Sequence, residues 1–341
     1  MNHRERIHAA LRGAPSPSSG LDHTPVTLWR HFPNDDQSAE KLAARVVEFQ
    51  RKFDFDFVKV TPAGGYPAEM YGARLRTPDT GSVKFREGSR DYITRPVNAL
   101  ADWDKITPLD ATNPVFAREL TALRLIRPQL GGDVHILQTI FSPLNTALNL
   151  AGDRLYADLR AQPDVLHRAL RALTQTTVRF AVASLRAGAD AIFFATQMAT
   201  SARLTLDEYR AFGEPYDVQA LEALRAAKAD FIFLHIHGLD IFFDELARYP
   251  VDIINWHDRR TAPSLKEART STALRSAQRA LAGGINEWDT LAAKPRDAVV
   301  AEARDAIAQA GGRGFILAAG CVIPTDTPEE NVRAVLEAAR G

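Results

Sequence analysis

Eight short apolar runs, most of them separated by amphipathic helical patterns, constrain this chain more than any other feature. The runs fall at 26–30, 57–61, 135–141, 191–195, 231–237, 252–257, 280–286 and 314–319. Most are bounded by turn signals, as expected of strands buried on both faces. Helical periodicity fills 39–53, 163–188, 205–227, 242–249 and 295–310. Asp164 follows Pro163, and Thr205 precedes Asp207 and Glu208, which is the chemistry of helix N-termini. Strands alternating with helical crossovers form parallel sheets, and eight of them predict a (β/α)₈ barrel, or TIM barrel. A doubly wound open sheet is the competitor, because periodicity does not report closure. No GxGxxG or GxxxxGK-S/T follows the first run, which argues against a bound nucleotide.

Composition narrows the setting. Lys+Arg number 42 and Asp+Glu 42, so the chain lacks the basic surplus that phosphate contacts need, and no nucleic-acid partner is expected. No apolar run approaches the roughly 18 residues of a membrane span. The N-terminal MNHRERIHAALRG is charged and amphipathic, without the apolar core of a secretory signal, so the expected location is cytoplasmic. A single cysteine, Cys321, excludes an internal disulfide framework.

One domain is expected over 1–341, with 1–24 as an N-terminal extension, helical over 2–12 and a flexible connector over 13–20. The interval 62–108 fits the barrel pattern poorly. Within it, 82–86 and 91–94 flank 87–90 and read as a hairpin outside the barrel, inserted after the second strand. Such an insertion either walls a site at the barrel mouth or lies at the periphery.

The sharpest local feature is Phe233-Leu234-His235-Ile236-His237-Gly238. Side chains two apart on a strand share a face, so both imidazoles aim at the barrel mouth if Leu234 and Ile236 face helices. A hydrogen-bonded structural pair and a metal-chelating pair both satisfy that spacing. His257 ends the next run and Cys321 follows the last. Taken singly, His257 suits a helix cap and Cys321 a small buried hydrophobe. In a barrel all four emerge on one C-terminal rim, and that convergence points to a metal, zinc or another transition ion.

Other rim residues are candidates for substrate contact or catalysis. Arg30 and His31 end the first run and suit either an anion grip or a rim salt bridge. Lys59 alternates with Val58 and Val60 and should face the barrel interior, where a lysine is unusual. Gln197 follows the fourth run and either orients a substrate or is an ordinary loop amide, and Asn286 ends the seventh as a candidate substrate contact. Glu287 reads as an acid/base group or as a solvated carboxylate at a helix start. Tyr66 and Tyr71, in the insertion, either line a pocket or pack.

The segment Gly320-Cys321-Val322-Ile323-Pro324, followed by Thr327-Pro328-Glu329-Glu330-Asn331, resembles the uroporphyrinogen decarboxylase superfamily. Phe141-Ser142-Pro143, Gly188-Ala189-Asp190-Ala191 and Pro25-Val26-Thr27-Leu28-Trp29-Arg30 extend the resemblance over nearly the whole chain. It implies a (β/α)₈ barrel independently of the strand pattern. The superfamily also contains zinc-dependent methyltransferases acting on corrinoids or thiols, and is similar to cobalamin-independent methionine synthase. In those methyltransferases a His-x-Cys pair, a later carboxylate or other ligand, and the cysteine of the Gly-Cys segment hold zinc. His235 and Cys321 match this pattern, His237 replaces a cysteine, and His257 stands where related sequences place a glutamate. The resemblance therefore implies a His₃Cys site, which leaves Zn²⁺ a net formal charge of roughly +1 and makes it the stronger Lewis acid.

The metal-free decarboxylase branch carries an Arg-Gln-Ala-Gly-Arg segment and an aspartate after the second strand. Here Trp29-Arg30-His31-Phe32-Pro33 preserves only Arg30, and Val60-Thr61-Pro62 has no aspartate. The expectation is a metal-dependent methyltransferase acting on a small-molecule substrate. A decarboxylase gripping carboxylates through Arg30, His31 and Lys59 is the alternative, and a non-catalytic tetrapyrrole- or corrinoid-binding protein the third reading. No DxHxxG occurs, so any corrinoid would arrive on a separate protein. The resemblance also implies a homodimer.

Overall fold

The computed structural model describes residues 1–13, 21–277 and 279–341. Beyond Gly13, the connector expected at 13–20 lies outside the described residues. Among these residues ten strands follow in chain order: β1 (Val26–Thr27), β2 (Phe57–Val60), β3 (Arg74–Arg76), β4 (Asp91–Thr94), β5 (His135–Phe141), β6 (Ala191–Thr196), β7 (Ile232–Ile236), β8 (Ile253–Trp256), β9 (Ala280–Ile285) and β10 (Phe315–Ala319). Eight form one parallel sheet in the order β1-β10-β9-β8-β7-β6-β5-β2. The seam between β1 and β2 has no ladder. It is closed by Asp56 N–H donating to Val26 O at 3.0 Å and by Thr27 Oγ1 donating to Phe57 O at 3.0 Å. The result is a nearly closed (β/α)₈ barrel, not an open sheet.

Strand alternation divides the apolar residues into two sets. Trp29, Phe57, Phe193, Phe233, Ile316 and Ala318 fill the barrel interior as one cluster. Val58, Val60, Leu234 and Ile236 point outward into the larger core shared with the helices. Both strand faces are therefore buried, which explains why these runs read as continuously apolar. The helix His3–Leu11 closes the barrel floor, its Ile7 joining the interior cluster. A reciprocal cap starts that helix: Glu5 N–H donates to Asn2 Oδ1, and Asn2 N–H donates to the Glu5 carboxylate.

The insertion between β2 and β5 contains an antiparallel pair, β3 with β4. Its first strand is Arg74–Arg76, not 82–86 as the sequence pattern suggested; most of that stretch lies in the helix Val83–Glu87. Two apolar residues two apart fit one capped helical turn as well as a strand, and the caps decide. The Ser82 side chain accepts from Phe85 N–H, and Gly88 ends the turn in the left-handed region at φ 73°.

This helix lies against the barrel mouth. Arg86 Nε donates to Asp326 Oδ1 at 2.9 Å, Thr325 N–H donates to Arg86 O at 3.0 Å, and the guanidinium sits 4.6 Å from the Trp288 ring. Gly88 is required by a close approach, since a Cβ there would stand 2.1 Å from the His31 ring. Behind it, Arg90 pairs with Asp36 in a fully buried contact and donates to Pro33 O at 2.8 Å.

Candidate metal centre

A cavity of about 510 Å³ opens at the C-terminal end of the barrel. Because β7 stops at Ile236 and β8 at Trp256, His237 and His257 project from the first residues beyond their strands. His235 projects inward from β7 itself, and Cys321 follows β10 by two residues. The four side chains meet in the cavity wall, each offering one ligand atom within 4.8 Å of the others. Cys321 Sγ lies 3.5 Å from His235 Nε2 and 3.6 Å from His237 Nδ1, and His257 Nε2 lies 3.2 Å from His237 Nδ1. Tetrahedral zinc with ordinary bond lengths separates two nitrogens by about 3.3 Å and a nitrogen from a sulfur by about 3.6 Å. The donor set fits such an ion.

Two of the imidazoles are fixed from behind. Asn255 Nδ2 donates to Ala282 O and Ala319 O, each at 3.0 Å, so its Oδ1 must be the atom facing His235 Nδ1 at 2.6 Å. An acceptor there places the proton on Nδ1 and leaves the Nε2 lone pair aimed at Cys321. His257 Nδ1 donates in the same way to Glu287 Oε1 at 2.9 Å, which also receives Arg260 Nη1 at 3.4 Å. Gly320 makes room for this assembly. A Cβ there would lie 3.0 Å from the His257 backbone and 3.1 Å from the Glu287 carboxylate, so the residue before Cys321 carries no side chain.

Electrostatics favour a charge-separated state before any metal arrives. Burial raises the Cys321 pKa, but His235, His237 and His257 outweigh it and hold the thiol well below its ordinary range. Burial likewise opposes charge on His257, yet Cys321 and Glu287 overcome it and push His257 up to about 10. His235 is pushed down by burial, against the opposing pull of Cys321. A thiolate beside an imidazolium is the metal-free form this geometry stabilises.

The remaining sequence candidates divide sharply. Lys59 reaches the cavity, donating to Thr61 Oγ1 at 3.2 Å with its ammonium 4.5 Å from the Phe193 ring. Burial pulls its pKa down to about 7. His31 and Gln197 also line the cavity, and burial pushes His31 down to about 3. Glu287 is a buried partner of His257 and Arg260, not a solvated carboxylate.

Arg30 is not among the residues lining the cavity. Its guanidinium packs over Phe32 and Phe49 and donates to Thr325 O at 3.1 Å. Tyr66 is buried, its hydroxyl donating to Thr139 O, while the Tyr71 hydroxyl bonds the Thr176 hydroxyl. Asn286 caps the turn Glu287–Leu291 by accepting from Trp288 and Asp289 N–H. Those four side chains are held by packing and local hydrogen bonds outside the cavity lining. Asn255, Arg203 and Arg260 are site residues that sequence reasoning did not single out. Asn255 had a signal, since it lies two before His257 and shares its face of the strand.

The uroporphyrinogen decarboxylase (URO-D) family model matches residues 24–341. The chain belongs to this family. It is 26% identical over 221 residues to methylcobamide:CoM methyltransferase MtaA of Methanosarcina barkeri, a stretch covering 64% of this chain and 62% of that protein. It is 22% identical to methylcobamide:CoM methyltransferase MtbA of Methanosarcina mazei, over 99% of this chain and 97% of that one. A uroporphyrinogen decarboxylase of Synechococcus is 24% identical over 98% of this chain and 97% of its own. Among solved structures, a methyltransferase from Methanosarcina mazei superposes with a TM-score of 0.80 at 21% identity, covering 99% of this chain and 98% of that chain. That likeness confirms the barrel fold.

Proposed function

We propose that this member of the uroporphyrinogen decarboxylase family transfers a methyl group to a thiol at a zinc centre held by His235 Nε2, His237 Nδ1, His257 Nε2 and Cys321 Sγ. The observation that carries the reading is the set of donor separations, 3.5, 3.6 and 3.2 Å, which matches one tetrahedral ion. The methylcobamide:CoM methyltransferases among its relatives support methyl transfer as the reaction class.

When bound, zinc supplies Lewis acidity that lowers the pKa of a thiol brought to it. The chain's own groups do the rest. Asn255 and Glu287 hold His235 and His257 in the ligating tautomer. His237 is half-buried, and no hydrogen bond to its Nε2 is present among the described residues, so it is the donor most free to yield a position to substrate. Lys59 has no carboxylate within ion-pair distance among the described residues, and with Arg203 and Gln197 it would hold an anionic end of the acceptor. The helix Val83–Glu87 would limit water entry. A corrinoid donor would dock on a separate protein at the mouth.

Decarboxylation has weaker support, because Arg30, the arginine it relies on, faces Phe32, Phe49 and Thr325 and is absent from the cavity lining. Metal analysis of untagged protein purified without chelators, combined with a methylcobamide-to-thiol assay, separates the readings. At least about one equivalent of zinc and zinc-dependent transfer are expected. Folded protein that refuses zinc and decarboxylates a porphyrinogen would overturn the proposal, and corrinoid binding without turnover would favour a binding protein.

The backing residues give a finer test. Asn255→Ala and Glu287→Gln should each weaken zinc binding by about 10–100-fold in competition with a chromophoric chelator. Unchanged affinity in both would show that these hydrogen bonds do not orient ligands.

A further inference from the structure

The opposite end of the barrel carries a second cluster. His8 lies on the floor helix His3–Leu11, His135 is the first residue of β5, and Asp230 lies two residues before β7. Each offers one ligand atom within 4.8 Å of the other two. His135 has 0% exposure, and neither ring nitrogen has a hydrogen-bond partner. Its ring meets those of His8 and Phe231 edge-on, each with centroids 5.0 Å apart. A buried imidazole with both nitrogens unsatisfied is uncommon in folded proteins and calls for an occupant.

The spacing suits an ion. His135 Nε2 lies 3.6 Å from Asp230 Oδ2. Two donors sharing a tetrahedral divalent ion at ordinary bond lengths sit about 3.4 Å apart. The surrounding charge does not forbid it. Arg4 donates to Asp230 Oδ2 at 3.1 Å and also pairs with Asp190, which Arg127 engages as well. The two arginines are thus balanced by the two aspartates before any ion arrives. The Asp230 side chain is 42% exposed, which gives an ion a way in.

We propose that His8, His135 and Asp230 form a second divalent-metal site, of the kind that takes zinc or cobalt, which clips the floor helix to the barrel. Two imidazoles and a carboxylate are borderline donors that suit such ions, with water completing the shell. The ion would join three elements far apart in sequence, and it would fix the helix whose Ile7 plugs the interior. This site is independent of Cys321 and of the chemistry proposed at the mouth.

Cobalt titration of untagged protein tests it, because the two sites differ in colour. A Cys321 thiolate ligand gives a near-ultraviolet charge-transfer band, whereas nitrogen and oxygen donors do not. The intact chain is expected to bind about two equivalents, and Cys321→Ala about one, without that band. Adding His8→Ala or Asp230→Asn to Cys321→Ala should weaken the remaining equivalent at least about tenfold and abolish its thermal stabilisation. His8 is half-buried and Asp230 exposed, so these variants avoid the fully buried His135. No equivalent in Cys321→Ala, or one that survives both second substitutions, would overturn the proposal. Absence of the near-ultraviolet band in the intact chain would instead count against the mouth site alone.

Discussion

Cys321→Ala is expected to lower zinc affinity by about two to three orders of magnitude and to abolish methyl transfer. Apparent binding free energies of structural zinc run to roughly 10–16 kcal/mol, so one of four donors contributes about 2.5–4 kcal/mol. Cys321 is the single thiolate of the set, and its loss leaves three neutral imidazoles facing the ion. Cys321→Ser should not rescue binding, since a serine hydroxyl does not ionise under the same influence. The metal-free protein offers a second readout. With His235, His237 and His257 holding the thiol well below its usual range, iodoacetamide should alkylate Cys321 at slightly acid pH, where an ordinary thiol is slow. Zinc should block that reaction. Alkylation that is equally fast with and without zinc, together with undiminished zinc content in Cys321→Ala, would place the metal elsewhere.

The barrel and the convergence of four side chains on its rim were legible for one physical reason: both depend on strand register. Eight runs buried on both faces leave a continuous apolar pattern, and ends of parallel strands share a rim whatever the intervening loops do. His235, His237, His257 and Cys321 converge on that ground alone. Lys59 was legible likewise, because period-two alternation with Val58 and Val60 fixes its face. Arg30 and Tyr66 failed where the chain leaves the sheet. Ladder pairing in β1 ends at Thr27, so nothing periodic governs Arg30, and Phe32, two residues on, and Phe49 capture it. Tyr66 opens the short helix Tyr66–Glu69, whose position is set by long-range packing against Phe141 and Phe180. The hairpin's first strand was misplaced because a five-residue pattern satisfies either period, and only Ser82 and Gly88 as caps break the tie. His135 gave no warning, since its interest lies in what is missing around it.

Lys59→Met should make the protein more stable and less active at once. Burial pulls the Lys59 pKa from 10.5 down to about 7, so between those values the unfolded chain binds a proton that the native chain does not. Stability therefore rises with pH across that window. The cost of the lysine is full below about pH 7 and vanishes above the unfolded value. At neutral pH it is on the order of 4 kcal/mol, which a methionine of similar volume would recover. Urea denaturation of the two proteins from about pH 6 to about pH 10 should show a gap that closes as pH rises. A gap of constant size would mean that packing, not titration, is the cause. The functional side separates two meanings of the same lysine. If its ammonium holds the anionic end of the acceptor, Lys59→Met loses a charge-assisted hydrogen bond and KM rises by about 10–100-fold while zinc content is unchanged. If KM does not move, Lys59 is a buried amine without a role in binding, and the anion grip falls to Arg203 and Gln197, the other polar groups proposed for it in the cavity wall. A lysine that costs stability and has no carboxylate within ion-pair distance among the described residues is best explained by a ligand that supplies the missing charge.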